Sequence, residues 1–234
     1  MNSNLLSREE YLVKFNEIQN HVIPITRQLG KKIKPGMSEK QIADEYTRML
    51  SDVGLVDHWY PILINAGENS GKAVSRRIHL PSDYVIKEND ILILDCTPID
   101  KTVWGNWAET FVIGDEPFYQ NLSDDCLTVV KQTAEFARIY AKTVGEILDY
   151  CMKIATELGM KSLDSRNDVG HSIFQVPEGQ TVEKTPLEDR LFLNDDYRNT
   201  KLEGIISIEP HFGRVNPKDG VLYGSKHQEV IIYS

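Results

Sequence analysis

Three acidic residues of this chain sit against apolar runs of strand length. Asp95 closes Ile91-Leu92-Ile93-Leu94, Glu209 follows Ile205-Ile-Ser-Ile208, and Glu229 precedes Val230-Ile-Ile-Tyr233. An ionised carboxylate beside a buried strand is costly unless it is paired or bound to a metal. His171, directly behind Gly170 in V-G-H-S-I, adds an imidazole. Carboxylates gathered in one place repel each other, so a compact cluster needs protons or cations. Oxygen donors with one imidazole suit Mn, Fe, Co or Zn, and two such ions bridged by carboxylates would polarise a carbonyl and generate hydroxide near neutral pH. The plainer alternative is that each residue acts alone, Asp95 as a turn cap just past its strand and the glutamates as edge positions.

These residues need elements to hold them. Ile91–Leu94 and Thr110–Ile113, rich in Ile, Val, Thr and Phe around a polar segment at Pro98–Lys101, predict a β-hairpin. Ahead of it, Tyr11, Phe15, Ile18, Val22, Ile25 and Leu29 recur at three- and four-residue steps, predicting a helix over Arg8–Lys32 that Pro24 kinks or divides. Ser38-Glu-Lys-Gln41 is a capping box for a second helix to about Val53, closed by Gly54, and Trp59–Ala66 reads as a strand. Past Gly114 the helical period returns over Leu122–Lys142 with Ser123 as N-cap. A second capping box, Thr143-Val-Gly-Glu146, then opens a helix to Leu158 that ends on Gly159. Ser38 matches Thr143 and Gly54 matches Gly159 at one shared offset, which suggests duplicated αβ halves. A long polar stretch, Pro177–Thr200, suits a lid or rim. No linker or low-complexity segment divides the chain, so residues 1–234 are expected to form one domain.

Asp95, T-F-V-I-G ending at Gly114, V-G-H-S-I at Val169–Ile173, S-I-E-P at Ser207–Pro210 and the terminal Q-E-V-I-I together resemble the methionine aminopeptidase, aminopeptidase P and creatinase family. The resemblance implies the pita-bread fold, an α+β architecture of two pseudo-symmetric halves around a curved antiparallel sheet. It further implies a two-metal site, with Asp95 on one ion, His171 and Glu209 on the other, and Glu229 bridging. His79 in H-L-P-S-D looks like the substrate-binding histidine of the aminopeptidase P branch, although a surface histidine in a Pro-flanked loop is the plainer reading. Members of that branch usually carry an extra N-terminal domain, which is not expected here.

Departures from the pattern bear on the chemistry. The family's second aspartate falls at Asn106, a neutral donor that cannot bridge two cations as a carboxylate does. Odd spacing puts Glu109 on the opposite strand face. The expected second histidine is missing from Phe174–Gly179, His227 stands two residues before Glu229 where the pattern has arginine, and His211 follows Glu209-Pro210. One divalent ion per chain is therefore expected, with Asp95, Asn106, His171, Glu209 and Glu229 as donors and Glu209, His79 and His227 in catalytic roles. The leading expectation is a metal-dependent hydrolase of a peptide or amide C–N bond, Xaa-Pro aminopeptidase or dipeptidase in type. The alternatives are a creatinase-like enzyme with one metal or none, and a binding protein that kept the fold and lost the chemistry.

A formal net charge of −9 argues against nucleic acid or an anionic membrane as the main partner. The polar N-terminus, the lack of a membrane-length apolar run, and three cysteines without CxxC spacing are the features of a reduced cytoplasmic protein. A small-molecule or short-peptide substrate and a homodimer complete the expectation.

Overall fold

The structure, a computed structural model, describes residues 5–72, 80–186 and 189–233. It opens with helix α1 (Arg8–Gly30), whose N-cap Ser7 accepts a hydrogen bond from the Glu10 amide while Glu10 reaches back to the Ser7 N–H. All six apolar residues that set its period are buried. Pro24 neither divides nor ends the helix. It lies on the exposed face, where the carbonyl it deprives of a partner can turn to water. Helix α2 (Glu39–Ser51) follows, with the expected box at Ser38 and Gln41.

Strands β1 (Asp57–Ala66), β2 (Asp90–Asp100), β3 (Val103–Trp104) and β4 (Trp107–Ile113) form one antiparallel sheet, with β2 central between β1 and β4. Helices α3 (Pro117–Ile139) and α4 (Val144–Glu157) form the second helical pair. Helix α3 begins earlier than Ser123 because Pro117 takes its first turn and Glu116 caps it; Ser123 is buried inside the helix instead. The remaining strands are β5 (Lys161–Ser162), β6 (Gly170–Ile173), β7 (Gly204–Ile208), β8 (His211–Val215), β9 (Leu222–Lys226) and β10 (Glu229–Tyr233). They pair as β10-β7-β6 and β5-β8-β9, so among the described residues the antiparallel strands of this α+β fold hydrogen-bond in three groups.

Two apolar clusters correspond to the two halves. One joins α1 and α2 to β1 and β2 through Phe15, Ile18, Tyr46 and Trp104; the other joins α3 and α4 to β7, β8 and β10 through Leu122, Ile147, Ile206 and Phe212. The repeat is visible in the backbone. The long helices each have 23 residues, and Gly54 and Gly159 follow the short ones at φ 84° and 70°, where a side chain would be strained.

The tightest backbone approach lies just before His171. Gly170 has φ 152°, and a Cβ there would meet the Ser207 carbonyl oxygen at 1.9 Å. Gly170→Ala should therefore push β6 off β7 and cost about 3 kcal/mol or more, combining overpacking with a forbidden backbone angle. Gly204→Ala has only a left-handed φ of 70° and open space around it, so it should cost roughly 1–2 kcal/mol. Urea melts of the two variants check the difference.

Candidate functional site

Asp95 lies mid-strand in β2, opposite Leu63 on β1 and Ala108 on β4. The strand runs on to Asp100, so Asp95 is not a turn cap. Across from it β1 is irregular. The register slips between His58 and Tyr60 and again between Tyr60 and Leu63, around Pro61, which has no N–H to give a ladder. Thr97 repairs the gap, its hydroxyl accepting from the Tyr60 N–H at 2.9 Å and donating to the Tyr60 carbonyl at 3.0 Å. The displaced Trp59, Tyr60 and Leu63 line a cavity together with Asp95.

Asn106 sits in the short gap between β3 and β4, and two buried glutamines fix its backbone. Gln19 of α1 accepts from its N–H and donates to its carbonyl, at 3.0 and 2.9 Å. Gln228 donates to the same carbonyl at 2.9 Å and accepts from the Ala108 N–H at 2.7 Å. So held, the Asn106 amide donates to Glu209 Oε2 at 2.8 Å. His171 on β6 and Glu209, one residue past β7, come from paired strands, and His171 Nε2 is 2.9 Å from Glu209 Oε1.

The last member of the cluster comes from the end of β9. Lys226 Nζ lies 2.7 Å from Asp95 Oδ2 and 3.4 Å from Glu209 Oε1, buried between the two acids. Thr110 sets its backbone, its hydroxyl accepting from the Lys226 N–H and donating to the Lys226 carbonyl, both at 2.8 Å. The cavity also takes in His211, whose Nε2 donates to the Ser70 carbonyl at 2.7 Å. Arg190 adds a guanidinium over the rings of Trp59 and Phe192, at 5.2 and 4.9 Å.

The structure thus brings together Asp95, Asn106, His171 and Glu209, as the sequence led us to expect. It does not bring Glu229 or His227. Glu229 shares its strand face with Ile231 and Tyr233, the face that packs on α3, and its carboxylate pairs with Arg138 of that helix at 2.8 Å. His227 is buried against the same helix, its Nε2 3.0 Å from the Ser123 hydroxyl. The site face at this end of the chain belongs to Lys226 and Gln228, one residue out of step with the expectation. Glu109 points away, as foreseen, and pairs with Arg27 of α1 at 3.0 Å. His79 lies outside the described residues. Lys226 escaped the sequence reading because Val230, Ile231 and Ile232 are all apolar, so the alternation that assigns faces is erased where it was needed.

The charges follow from the packing. Burial opposes ionisation of Glu209, but Lys226, His171 and the Asn106 amide overcome it and hold its carboxyl at about 2. His171 is likewise disfavoured as a cation by burial, yet Glu209 raises it above its ordinary value. Its Nδ1 faces the Ser172 carbonyl at 3.0 Å, so both ring nitrogens have acceptors and the imidazolium is the satisfied form. Burial also works against the Lys226 charge, but Asp95 and Glu209 outweigh it and raise the ammonium's pKa. Burial raises Asp95, with Lys226 pulling the other way. Burial pushes His227 down to about 4, which makes it a neutral structural imidazole.

This donor set does not fit a divalent ion. Among the described residues no group of three or more His, Cys, Asp or Glu side chains is arranged to hold one. The two acids that would bind it already share the Lys226 ammonium. An ammonium and a dication held ~4 Å apart repel by about 8 kcal/mol at an effective dielectric of ~20.

A model of metallopeptidase family M24 matches residues 16–231. No curated protein sequence matches the chain. Among solved structures, X-Pro aminopeptidase from Thermotoga maritima superposes with a TM-score of 0.74 at 16% identity, over 96% of this chain and 58% of its own. Xaa-Pro dipeptidase from Bacillus anthracis gives 0.74 at 17%, again over 96% and 58%. Methionine aminopeptidase from Rickettsia prowazekii gives 0.70 at 16%, over 97% and 93%. The chain therefore spans less than two thirds of the two proline-directed enzymes, and its fold is the pita-bread fold.

The ion pair at the cavity floor has a pH signature. Glu209 is lowered, so its contribution to stability is present above about 4.5 and is lost as pH falls toward 2. His171 is raised, so its contribution is complete below about 6.5 and is lost as pH climbs through its higher native value. The stability difference between wild type and Glu209→Gln should therefore be largest between about pH 4.5 and 6.5. Thermal melts of both proteins across pH measure it.

Proposed function

The chain belongs to metallopeptidase family M24; on that premise we propose that it is a peptidase-like hydrolase of a C–N bond in a small peptide or amide. The observation that carries the reading is the His171–Glu209 pair, 2.9 Å apart on the cavity floor. His171 as imidazolium can give its proton to the departing nitrogen. Glu209, a weak base with its pKa held near 2, orients the attacking water and takes its proton as the C–O bond forms; that proton passes to His171 once the imidazolium has protonated the departing nitrogen and the C–N bond has broken. Two donors, the Lys226 ammonium and the Asn106 amide, lie beside it, and both can stabilise the oxyanion that forms as water attacks. Arg190 on the cavity wall can receive a substrate carboxylate. Xaa-Pro dipeptides are the first substrates to try, because the structurally similar X-Pro aminopeptidase and Xaa-Pro dipeptidase act on that linkage by name. The proposal extends to a homodimer in the cytoplasm, which sizing chromatography and fractionation can check.

A second reading is a binding protein of the same fold. It is favoured by the fact that both Glu209 oxygens and Asp95 Oδ2 already have partners inside the site. Turnover separates the two. Wild-type protein should hydrolyse members of a panel of Xaa-Pro dipeptides and N-acyl amino acids in the presence of a chelator, and Glu209→Gln should lower kcat by about 10²-fold or more. Thermal stabilisation by panel members without any turnover would favour the binding protein.

A further inference from the structure

We infer that Lys226 is the resident cation of this site, an ammonium standing where a divalent metal would stand, and that it keeps such metals out. The inference does not depend on the chain being a hydrolase. It rests first on position. The ammonium touches Asp95 at 2.7 Å and approaches Glu209 at 3.4 Å, carboxylates contributed by two different sheets. Its side chain is 11% exposed, and no metal could join both acids without displacing it.

It rests next on how firmly the lysine is held. Thr110 grips both its backbone N–H and its carbonyl, and Ser225 adds a hydroxyl contact to the same threonine at 3.1 Å. Lys226 ends β9 with its backbone clamped and its side chain enclosed, so it is not a surface lysine that has folded inward.

The third support is charge balance. A monovalent cation neutralises one carboxylate, whereas a metal pair needs several. Around Lys226 the acids are reduced to match. Asn106 presents an amide donor to Glu209, and Gln228 binds backbone groups instead of an ion. Asp95 and Glu209 then share the Lys226 ammonium, while the remaining Glu209 contacts go to the Asn106 amide and the His171 ring. The lysine, the asparagine and the glutamine are one coordinated arrangement.

Cobalt(II) tests this with the 234-residue chain, since bound Co²⁺ reports its ligands by visible absorption. Wild type should show no stoichiometric Co²⁺ spectrum. Lys226→Ala removes the ammonium and leaves Asp95, His171 and Glu209 as donors; it should bind one Co²⁺ at least a hundred-fold more tightly than wild type, and lose it when His171→Ala is added. Asn106→Asp restores an acid but keeps the ammonium, so it should remain free of Co²⁺ and gain it only when combined with Lys226→Ala. Stoichiometric binding by wild type, or by Asn106→Asp alone, overturns the inference, because the lysine then excludes nothing. A folded Lys226→Ala that binds no Co²⁺ overturns it as well. Should Lys226→Ala not fold, the wild-type and Asn106→Asp titrations still decide.

Discussion

Two carboxylates cannot share one buried cavity without a positive charge between them, and much of this structure follows from how that need is met. Taking each ion out of water costs several kcal/mol, recovered only with close partners and satisfied hydrogen bonds. Asp95 and Glu209 are almost fully buried, and their partners are an ammonium, an imidazolium and an amide, all delivered by the chain itself. A metallopeptidase fold ordinarily leaves this task to ions from solution. Here the polypeptide encodes the counter-charge, so assembling the site and folding the chain become one event.

His171 sits within the regular β6–β7 ladder, but the other parts of the cluster are positioned where regular pairing fails. Strand β1 slips register opposite Asp95, Asn106 lies in the gap between two strands, and Lys226 ends a strand. At such places backbone groups lose their ladder partners, and a buried orphan is expensive. The chain supplies replacements from side chains: Thr97 for Tyr60, Thr110 for Lys226, Gln19 and Gln228 for Asn106. Irregular backbone frees a side chain to turn toward the cavity, and the polar side chains behind it keep that departure rigid.

Much of this could be read from the residues. Apolar spacing placed both helical pairs, and the two capping boxes at one offset disclosed the repeat. Asp95, His171 and Glu209 stood out because glycine, proline and apolar neighbours marked them as buried strand positions, and Asn106 was visible as a missing acid. What escaped depended on three dimensions. A lysine followed by a histidine and a glutamine near the end of the sequence looks like a solvated cation, and only the pairing of Thr110 with β9 turns it inward. Glu229 misled because four of the five residues of its strand are apolar or aromatic, leaving no polar side to set the phase. Ser123 misled because a proline–glutamate start two turns earlier is as good a helix opening as a serine cap.

The Asn106 carbonyl has a consequence for how the two halves communicate. It accepts one amide from Gln19, on a helix of the first half, and another from Gln228, beside the last strand of the second. Both bonds are 2.9 Å long, and N–H···O bonds weaken beyond about 3.2 Å, so sliding one half past the other by half an ångström or so would break one of them. A single oxygen atom therefore registers the alignment of the halves and passes it to the side chain that faces Glu209. Breathing of the cleft and the tilt of that amide are mechanically one coordinate.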